Sequence, residues 1–140
     1  MIGLTAATGR LGRLVIAELL QRVPPDRVVA RARDLNRASD LAAQGITVRP
    51  ADYDDPARLD AALRGIQRLL LISGSEVGRR VQQHRKVIAA AVRAGVQLLA
   101  DTSLLHADRS PLRFLADEHP APEHTLQESG LSWVILRHGW

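Results

Sequence analysis

A glycine-containing segment near the start of the chain has the composition of a phosphate-binding loop. Residues 5–12 read TAATGRLG and lie between an aliphatic run and an amphipathic stretch. Small residues let the backbone approach a pyrophosphate, whose charge then meets free N–H groups and the positive end of a helix dipole. Gly9 and Gly12 fit this pattern, whereas Ala6 stands where its first glycine belongs. The alternative is a tight strand-to-helix turn that binds no ligand.

Two residues of opposite charge follow the second aliphatic run, about twenty residues past the glycine loop. Arg33 can pair with a 2′-phosphate on a ribose, whereas Asp34 can accept hydrogen bonds from free ribose hydroxyls. We favour Arg33, and therefore NADP(H) over NAD(H). The alternative is that Arg33 and its neighbour Arg31 are ordinary surface charges.

The residues that the chain lacks exclude other chemistries. Without cysteine there is no thiolate nucleophile, disulfide or cysteine-ligated metal. Tyr53 is the only tyrosine and Lys86 the only lysine, so the Tyr-x-x-x-Lys pair of many short-chain dehydrogenases is absent. The histidines lack the spacing of a metal pair, and no metal is expected. His84 is expected to be a hydrogen-bonded histidine of the core.

The motifs need a scaffold, which the chain provides as short aliphatic runs alternating with helix-length amphipathic stretches. Runs rich in Val, Ile and Leu predict buried strands at residues 2–5, 27–32, 46–49, 68–72, 96–100 and 132–136. Helices are predicted at residues 11–22, 37–44, 56–64, 76–94 and 122–129. Right-handed crossovers then give an α/β fold, a doubly wound parallel sheet of Rossmann type with strand order 3-2-1-4-5-6. Ligands of such sheets bind at the carboxyl ends of the strands.

Length and composition are those of one globular domain that spans residues 1–140. Hydrophobic residues make up 46% and charged residues 24% of the chain. The formal charge is +4, but the arginines are scattered and aromatics are only 3%, so no nucleic-acid surface is expected. No run approaches the roughly 20 apolar residues of a membrane span, and no leader pattern precedes the first strand. A cytoplasmic protein is expected.

Three further segments carry a specific resemblance. Residues 51–55 read ADYDD, residues 70–78 read LLISGSEVG and residues 102–108 read TSLLHAD. With the glycine loop, they resemble the NmrA-like, atypical short-chain dehydrogenase family, most closely its NAD(P)H:quinone oxidoreductase branch. The resemblance covers residues 1–140 and implies hydride transfer from NADPH to a quinone-like acceptor, without a covalent nucleophile.

The resemblance also implies site residues. Those expected to contact the cofactor are Thr8, Gly9, Arg10, Leu11, Gly12, Arg33, Asp52, Tyr53, Ser73, Gly74, Ser75, Thr102 and Ser103. The loop at 8–12 would wrap the pyrophosphate, Arg33 would hold the 2′-phosphate and residues 52–53 would border the adenine. Residues 73–75 would lie beside the pyrophosphate and nicotinamide ribose, with residues 102–103 below the nicotinamide. The far wall of the substrate site would consist of His138, Gly139 and Trp140.

The chain departs from the family at several positions, and these departures leave two functions open. The family has glycine at Ala6, tyrosine at Asp101 and asparagine at His138, and Asp101 is expected to bring a repelling charge to the border of the site. Family members continue into a smaller lobe that forms much of the substrate pocket. The first function is a quinone reductase impaired by the absence of this lobe, with self-association through the exposed sheet end. The second is a non-catalytic module that senses the NADP redox state for a partner protein.

Overall fold

Six parallel strands form one sheet in a computed structural model of the chain, which describes residues 1–73, 78–105 and 120–139. The strands are β1 (Ile2–Leu4), β2 (Val28–Ala32), β3 (Thr47–Pro50), β4 (Arg68–Leu71), β5 (Leu98–Leu104) and β6 (Ser132–His138). Neighbouring strands pair in the order β3-β2-β1-β4-β5-β6. The predicted α/β sheet of Rossmann type and its strand order are therefore confirmed.

Helices cover both faces of the sheet, as a doubly wound fold requires. They are α1 (Arg10–Leu20), α2 (Ser39–Ala43), α3 (Pro56–Leu63), α4 (Arg80–Arg93) and α5 (Pro120–Gln127). On one face α1 and α2 pack around Leu4, Ile16 and Leu41. On the other face α3, α4 and α5 pack around a second aliphatic cluster that includes Leu63, Val87, Leu99 and Leu126. No helix among the described residues is long and apolar enough to cross a membrane.

The fifth strand is longer than its aliphatic run. We predicted residues 96–100, but β5 continues to Leu104 and pairs with β6 as far as His138. Residues 101–104 and His138 therefore lie within strands, beyond the predicted strand ends at 100 and 136. Polar residues can continue a strand when their side chains find partners, and a sequence run of hydrophobic residues does not detect this.

Asp101 lies inside the protein, and its expected place at the border of the site is wrong. Its side chain is on the face of β5 that packs against α4, where its Oδ1 lies 3.4 Å from Nδ1 of His84. Both side chains are almost fully buried. His84 is thus a core residue, but its ring nitrogens have no hydrogen-bond partner within the described part of the chain.

The loop between β3 and α3 is fixed at two points. Asp55 caps α3 by accepting a hydrogen bond from the Arg58 amide at 3.1 Å, just before the proline that begins the helix. Asp54 reaches α4, where Lys86 Nζ and Arg79 Nη2 lie 2.7 and 2.8 Å from its two carboxylate oxygens. Asp54 therefore ties this loop, which follows β3 at the carboxyl edge, to the helix that follows β4.

Acid is expected to weaken the tie between this loop and α4. Pairing with Lys86 first, and then with Arg79, lowers the pKa of Asp54. The resulting stability is present above the ordinary pKa of an aspartate and is lost as the pH falls through the lowered pKa of the folded state. Thermal melts of the chain and Asp54→Asn should therefore differ near neutral pH and converge in acid, with a smaller difference in high salt because the groups are exposed.

The control is Glu18→Gln, which removes an exposed carboxylate from α1 on the opposite face of the sheet. Its melting temperature should follow that of the unchanged chain at each pH. A difference between Asp54→Asn and the unchanged chain that stays constant across the acid range would contradict the assignment to Asp54.

Candidate nucleotide-binding site

A cavity of about 610 Å³ opens at the carboxyl ends of the central strands. Its described lining comes from the end of β2, from the segments that follow β1, β2, β3 and β4, and from α4. These residues are Ala6, Thr8, Gly9, Arg10, Leu11, Gly12, Arg31, Ala32, Arg33, Asp34, Arg37, Ala51, Tyr53, Ile72, Ser73 and Gln83. The volume lies in the range of small-molecule sites. The cavity also has the expected position, because the strand order reverses between β1 and β4.

Thr5 joins the two strands at this reversal. Its amide donates to Leu70 O at 3.0 Å, and its hydroxyl accepts a hydrogen bond from the Ile72 amide at 2.8 Å. The hydroxyl also lies 3.3 Å from Ile72 O, to which it donates. Thr5 is fully buried, so these contacts fix the rear of the cavity without exposing a polar group.

The glycine loop turns sharply at Ala6. This residue has a φ of 47°, in the left-handed region that favours glycine, which explains why glycine suits the position better. Its carbonyl accepts a hydrogen bond from the Gly9 amide at 3.0 Å. The same carbonyl would lie 2.5 Å from a Cβ at position 12, so only glycine lets α1 approach the loop this closely.

Helix α1 begins beside the cavity without a side-chain cap. Gly9 is the N-cap residue, and its carbonyl accepts the Arg13 amide at 3.0 Å. The first N–H groups of an α-helix have no partner within the helix and carry the positive end of its dipole. Thr8, Arg10 and Leu11 complete the lining around this helix end. The predicted loop at 8–12 therefore lies together at one wall of the cavity.

The segment after β2 gives the cavity a second, cationic wall. Arg33 and Arg37 both line it and both are exposed, whereas the Asp34 carboxylate accepts the Asn36 amide at 2.9 Å in a local turn. Among the described lining residues, four are arginine and one is acidic. The wall therefore favours an anion.

Helix α1 also positions this cationic wall. Arg13 donates to the backbone carbonyl of Arg37 at 2.8 Å and pairs with Asp40. The hydrogen bond from Arg13 lowers the pKa of Asp40, so this pair stays charged well into the acid range. The helix that presents the glycine loop thus also holds the backbone that presents Arg37.

The ends of β3 and β4 supply a less polar part of the lining. Tyr53 and Ala51 line the cavity after β3, while the predicted Asp52 is exposed and accepts the Asp54 amide through its carboxylate. Ser73 lines the cavity after β4, and its amide and hydroxyl both bond to Thr102, at 2.8 and 2.7 Å. Thr102 is therefore behind the lining and holds Ser73 in place.

The remaining predicted residues lie elsewhere. Ser103 is buried in β5, and its hydroxyl donates to Glu123 on α5, which also pairs with Arg137 of β6. His138 and Gly139 are exposed at the end of β6 and do not belong to the described lining. Gly74, Ser75 and Trp140 lie outside the described residues. Roles for all of these residues stay predictions.

Sequence reasoning missed two arginines of the site. Arg37 lies on the short helical turn Asn36–Ala38 that follows Arg33, and its charge close to the end of β2 was a signal that could have found it. Arg31 was weighed only as a surface charge, but it is fully buried beside the cavity. Metal ligation has no support within the described part of the chain, where no group of three potential ligands occurs.

Comparisons with known proteins agree with this geometry. A family model described as NAD(P)H-binding matches residues 6–140. The chain belongs to this NAD(P)H-binding family. It is 56% identical, over its whole length, to quinone oxidoreductase 2 of Escherichia coli (strain K12), of which it covers 49%. It is 30% identical over 97% of its length to an NmrA-like family domain-containing oxidoreductase of Aspergillus flavus, covering 46% of that protein.

A solved structure extends the likeness to three dimensions. This structure is the NADPH-dependent quinone oxidoreductase of Escherichia coli complexed with NADPH. It superposes on the chain with a TM-score of 0.95, and the match covers the whole of this chain and 49% of the Escherichia coli chain. The NmrA-like resemblance is thus confirmed. The chain spans about half the length of the curated relatives it matches.

Replacing Ala6 by glycine is expected to stabilise the NAD(P)H-binding chain and to strengthen its binding of NADPH. A left-handed non-glycine residue costs roughly 1–2 kcal/mol, which the greater freedom of glycine in the unfolded chain offsets by about 0.4–1 kcal/mol. Removal of the methyl group also lets the loop close on a pyrophosphate. Thermal melts and titration calorimetry with NADPH measure the two effects.

Ala7→Gly is the matched control, because Ala7 is buried in the same loop without a left-handed φ. It should destabilise the chain by about 0.5–1 kcal/mol. Weaker NADPH binding by Ala6→Gly would contradict our account of the loop geometry.

Proposed function

We propose that this chain is the nucleotide-binding part of an NADPH-dependent reductase of quinone-like acceptors. The observation that carries the proposal is the arginine-rich cavity beside a glycine loop at the sheet's reversal point. The 56% identity to Escherichia coli quinone oxidoreductase 2 supports the choice of acceptor class. The acceptor, and activity in this chain, belong to the proposal.

The described residues fit an NADPH molecule by their donor set. Gly12 leaves room for the backbone of the loop beside α1, where amides and the helix dipole can meet a pyrophosphate. Arg33 and Arg37 offer guanidinium donors on the adjacent wall, and a ribose 2′-phosphate is the anion that distinguishes NADPH from NADH. Tyr53 and Ala51 offer a flatter, less charged surface for the adenine.

Orientation is the main contribution of the protein to the reaction. Bound NADPH supplies the hydride, so the chain needs no covalent nucleophile. Ser73, held from behind by Thr102, and the strand ends tied by Thr5 keep one wall rigid. The contacts Ser103–Glu123 and Glu123–Arg137 join β5, α5 and β6. These contacts hold the framework on which the reacting ring would rest.

The edge strand β6 carries exposed apolar side chains that another lobe or a second copy of the chain could cover. β6 exposes Trp133, Val134 and Leu136, and neighbouring residues of a strand point to opposite faces. Apolar surface of this kind is commonly buried by another lobe or subunit. Self-association through β6 is therefore part of the proposal, and a cytoplasmic location stays a prediction from the sequence.

Arg33→Ala is expected to lower the preference for NADPH over NADH by roughly tenfold to a hundredfold. Charge-assisted hydrogen bonds to a phosphate are worth about 1.5–3 kcal/mol. NADH has no 2′-phosphate, so the substitution should weaken the binding of NADPH alone. Titration calorimetry with both cofactors gives the ratio. Arg27→Ala, an exposed arginine at the opposite end of β2, should leave it unchanged. Equal affinities for NADPH and NADH in the unchanged chain would favour Asp34 as a ribose ligand.

The chain alone should bind NADPH but oxidise it slowly with a small benzoquinone. Reacting atoms held about 3–3.5 Å apart supply much of the rate enhancement, and a half-built pocket loses this positioning. A fusion that adds the second half of Escherichia coli quinone oxidoreductase 2 should be faster at similar NADPH affinity. Equal rates would contradict the need for a second lobe. NADPH binding without oxidation in either form would favour the redox-sensing module.

A further inference from the structure

Arg31 is a buried charge that has no hydrogen-bond partner among the described residues. Its side chain is fully buried on β2, and none of its three guanidinium nitrogens has a hydrogen-bond partner within residues 1–73, 78–105 and 120–139. A guanidinium carries five N–H donors and stays charged under ordinary conditions. Burying it without acceptors is strongly unfavourable, so the group calls for an explanation.

The residues around Arg31 make its burial still less favourable. Arg49 is its register partner on β3, and Arg49 already donates to the carbonyls of Ala62 and Arg64 at the end of α3. Burial first, and then the like charge of Arg49, lower the pKa of Arg31, which Tyr53 opposes. The nearby backbone acceptors at the end of α3 are thus used by a different arginine.

Arg31 lies on the face of the sheet that α3 and α4 cover. It shares the strand face of Val29, which packs with α3 and α4. Tyr53 packs against the same cluster and lines the cavity with Arg31. The segment with Arg33 and Arg37 instead leads to Ala38 and Leu41 on the face covered by α1 and α2. The cavity is therefore lined both by the exposed Arg33 and Arg37 after β2 and by a buried guanidinium on the strand face where Tyr53 packs.

We propose that Arg31 contacts the adenine base of the dinucleotide by donating to its ring nitrogens. The base is flat and uncharged and bears acceptors, so it suits a buried floor, whereas a hydrated 2′-phosphate suits the exposed Arg33 and Arg37. This assignment rests on the proposed NADPH function and deepens it. Arg31 thereby sets affinity for the adenosine half of either cofactor, while Arg33 discriminates between the two.

The test compares Arg31→Met and Arg31→Lys with the unchanged chain. Titration calorimetry is run with NADPH, NADH and adenosine 2′,5′-bisphosphate, and thermal melts are recorded without ligand. Arg31→Met should melt at the same or a higher temperature, because it removes a buried charge that no described residue pairs with. It should bind all three probes roughly tenfold to a hundredfold more weakly, by a similar factor for each. Arg31→Lys should give intermediate affinities, and Arg33→Ala should weaken binding of only the two probes that carry a 2′-phosphate, NADPH and adenosine 2′,5′-bisphosphate.

Other results of these titrations would overturn the Arg31 assignment or separate it from the proposed function. Arg31→Met or Arg31→Lys affinities equal to those of the unchanged chain would overturn the assignment, and so would a loss confined to the probes with a 2′-phosphate. If Arg31→Met does not fold, Arg31→Lys decides by the same criteria. Arg31-dependent binding of the bisphosphate without binding of either nicotinamide cofactor supports the adenine contact while refuting the proposed function. Binding of none of the probes by the unchanged chain overturns both.

Discussion

The site depends on the way Thr5 joins the ends of β1 and β4. These two strands are neighbours in the sheet, but the chain leaves β1 for α1 on one face and β4 for α4 on the other. The departure of the two connections in opposite directions opens a crevice. Without a firm connection between the strand ends, the crevice would have no fixed rear wall. The buried hydroxyl of Thr5 provides this connection through the backbone of Ile72.

Much of the fold and the first wall of the site could be predicted, because both rest on local sequence patterns. Aliphatic runs located all six strands, and Gly9 and Gly12 located the loop beside α1. The length of β5 could not be predicted, since Asp101, Thr102 and Ser103 are polar. Asp101 lies beside His84, whereas Thr102 and Ser103 form hydrogen bonds with Ser73 and Glu123, and these residues are 17 to 29 positions away in the sequence. Contacts at such separations become visible only after the sheet has been assembled.

Arg31 was misjudged for a related reason. Charge usually indicates a surface position, and the alternation of residues along a strand does not tell which face has room for a guanidinium. The structure buries Arg31 opposite Arg49 of β3, on a strand whose other residues are apolar. The scattered arginines of the sequence therefore divide into groups with different tasks. Arg13 and Arg49 hold backbone carbonyls, whereas Arg33 and Arg37 face a ligand cavity.

The aromatic residues are few, and their positions give the chain two separate optical reporters. Tyr53, the single tyrosine, lines the cavity near the β3 edge of the sheet, whereas Trp133 is exposed on β6 at the opposite edge. Tyrosine and tryptophan absorb and emit at different ultraviolet wavelengths. Filling of the cavity would perturb the tyrosine spectrum, and coverage of β6 would shift the emission of Trp133. In a Trp140→Phe variant, which leaves Trp133 as the single tryptophan, nucleotide binding and coverage of the sheet edge can thus be followed at different wavelengths without a label.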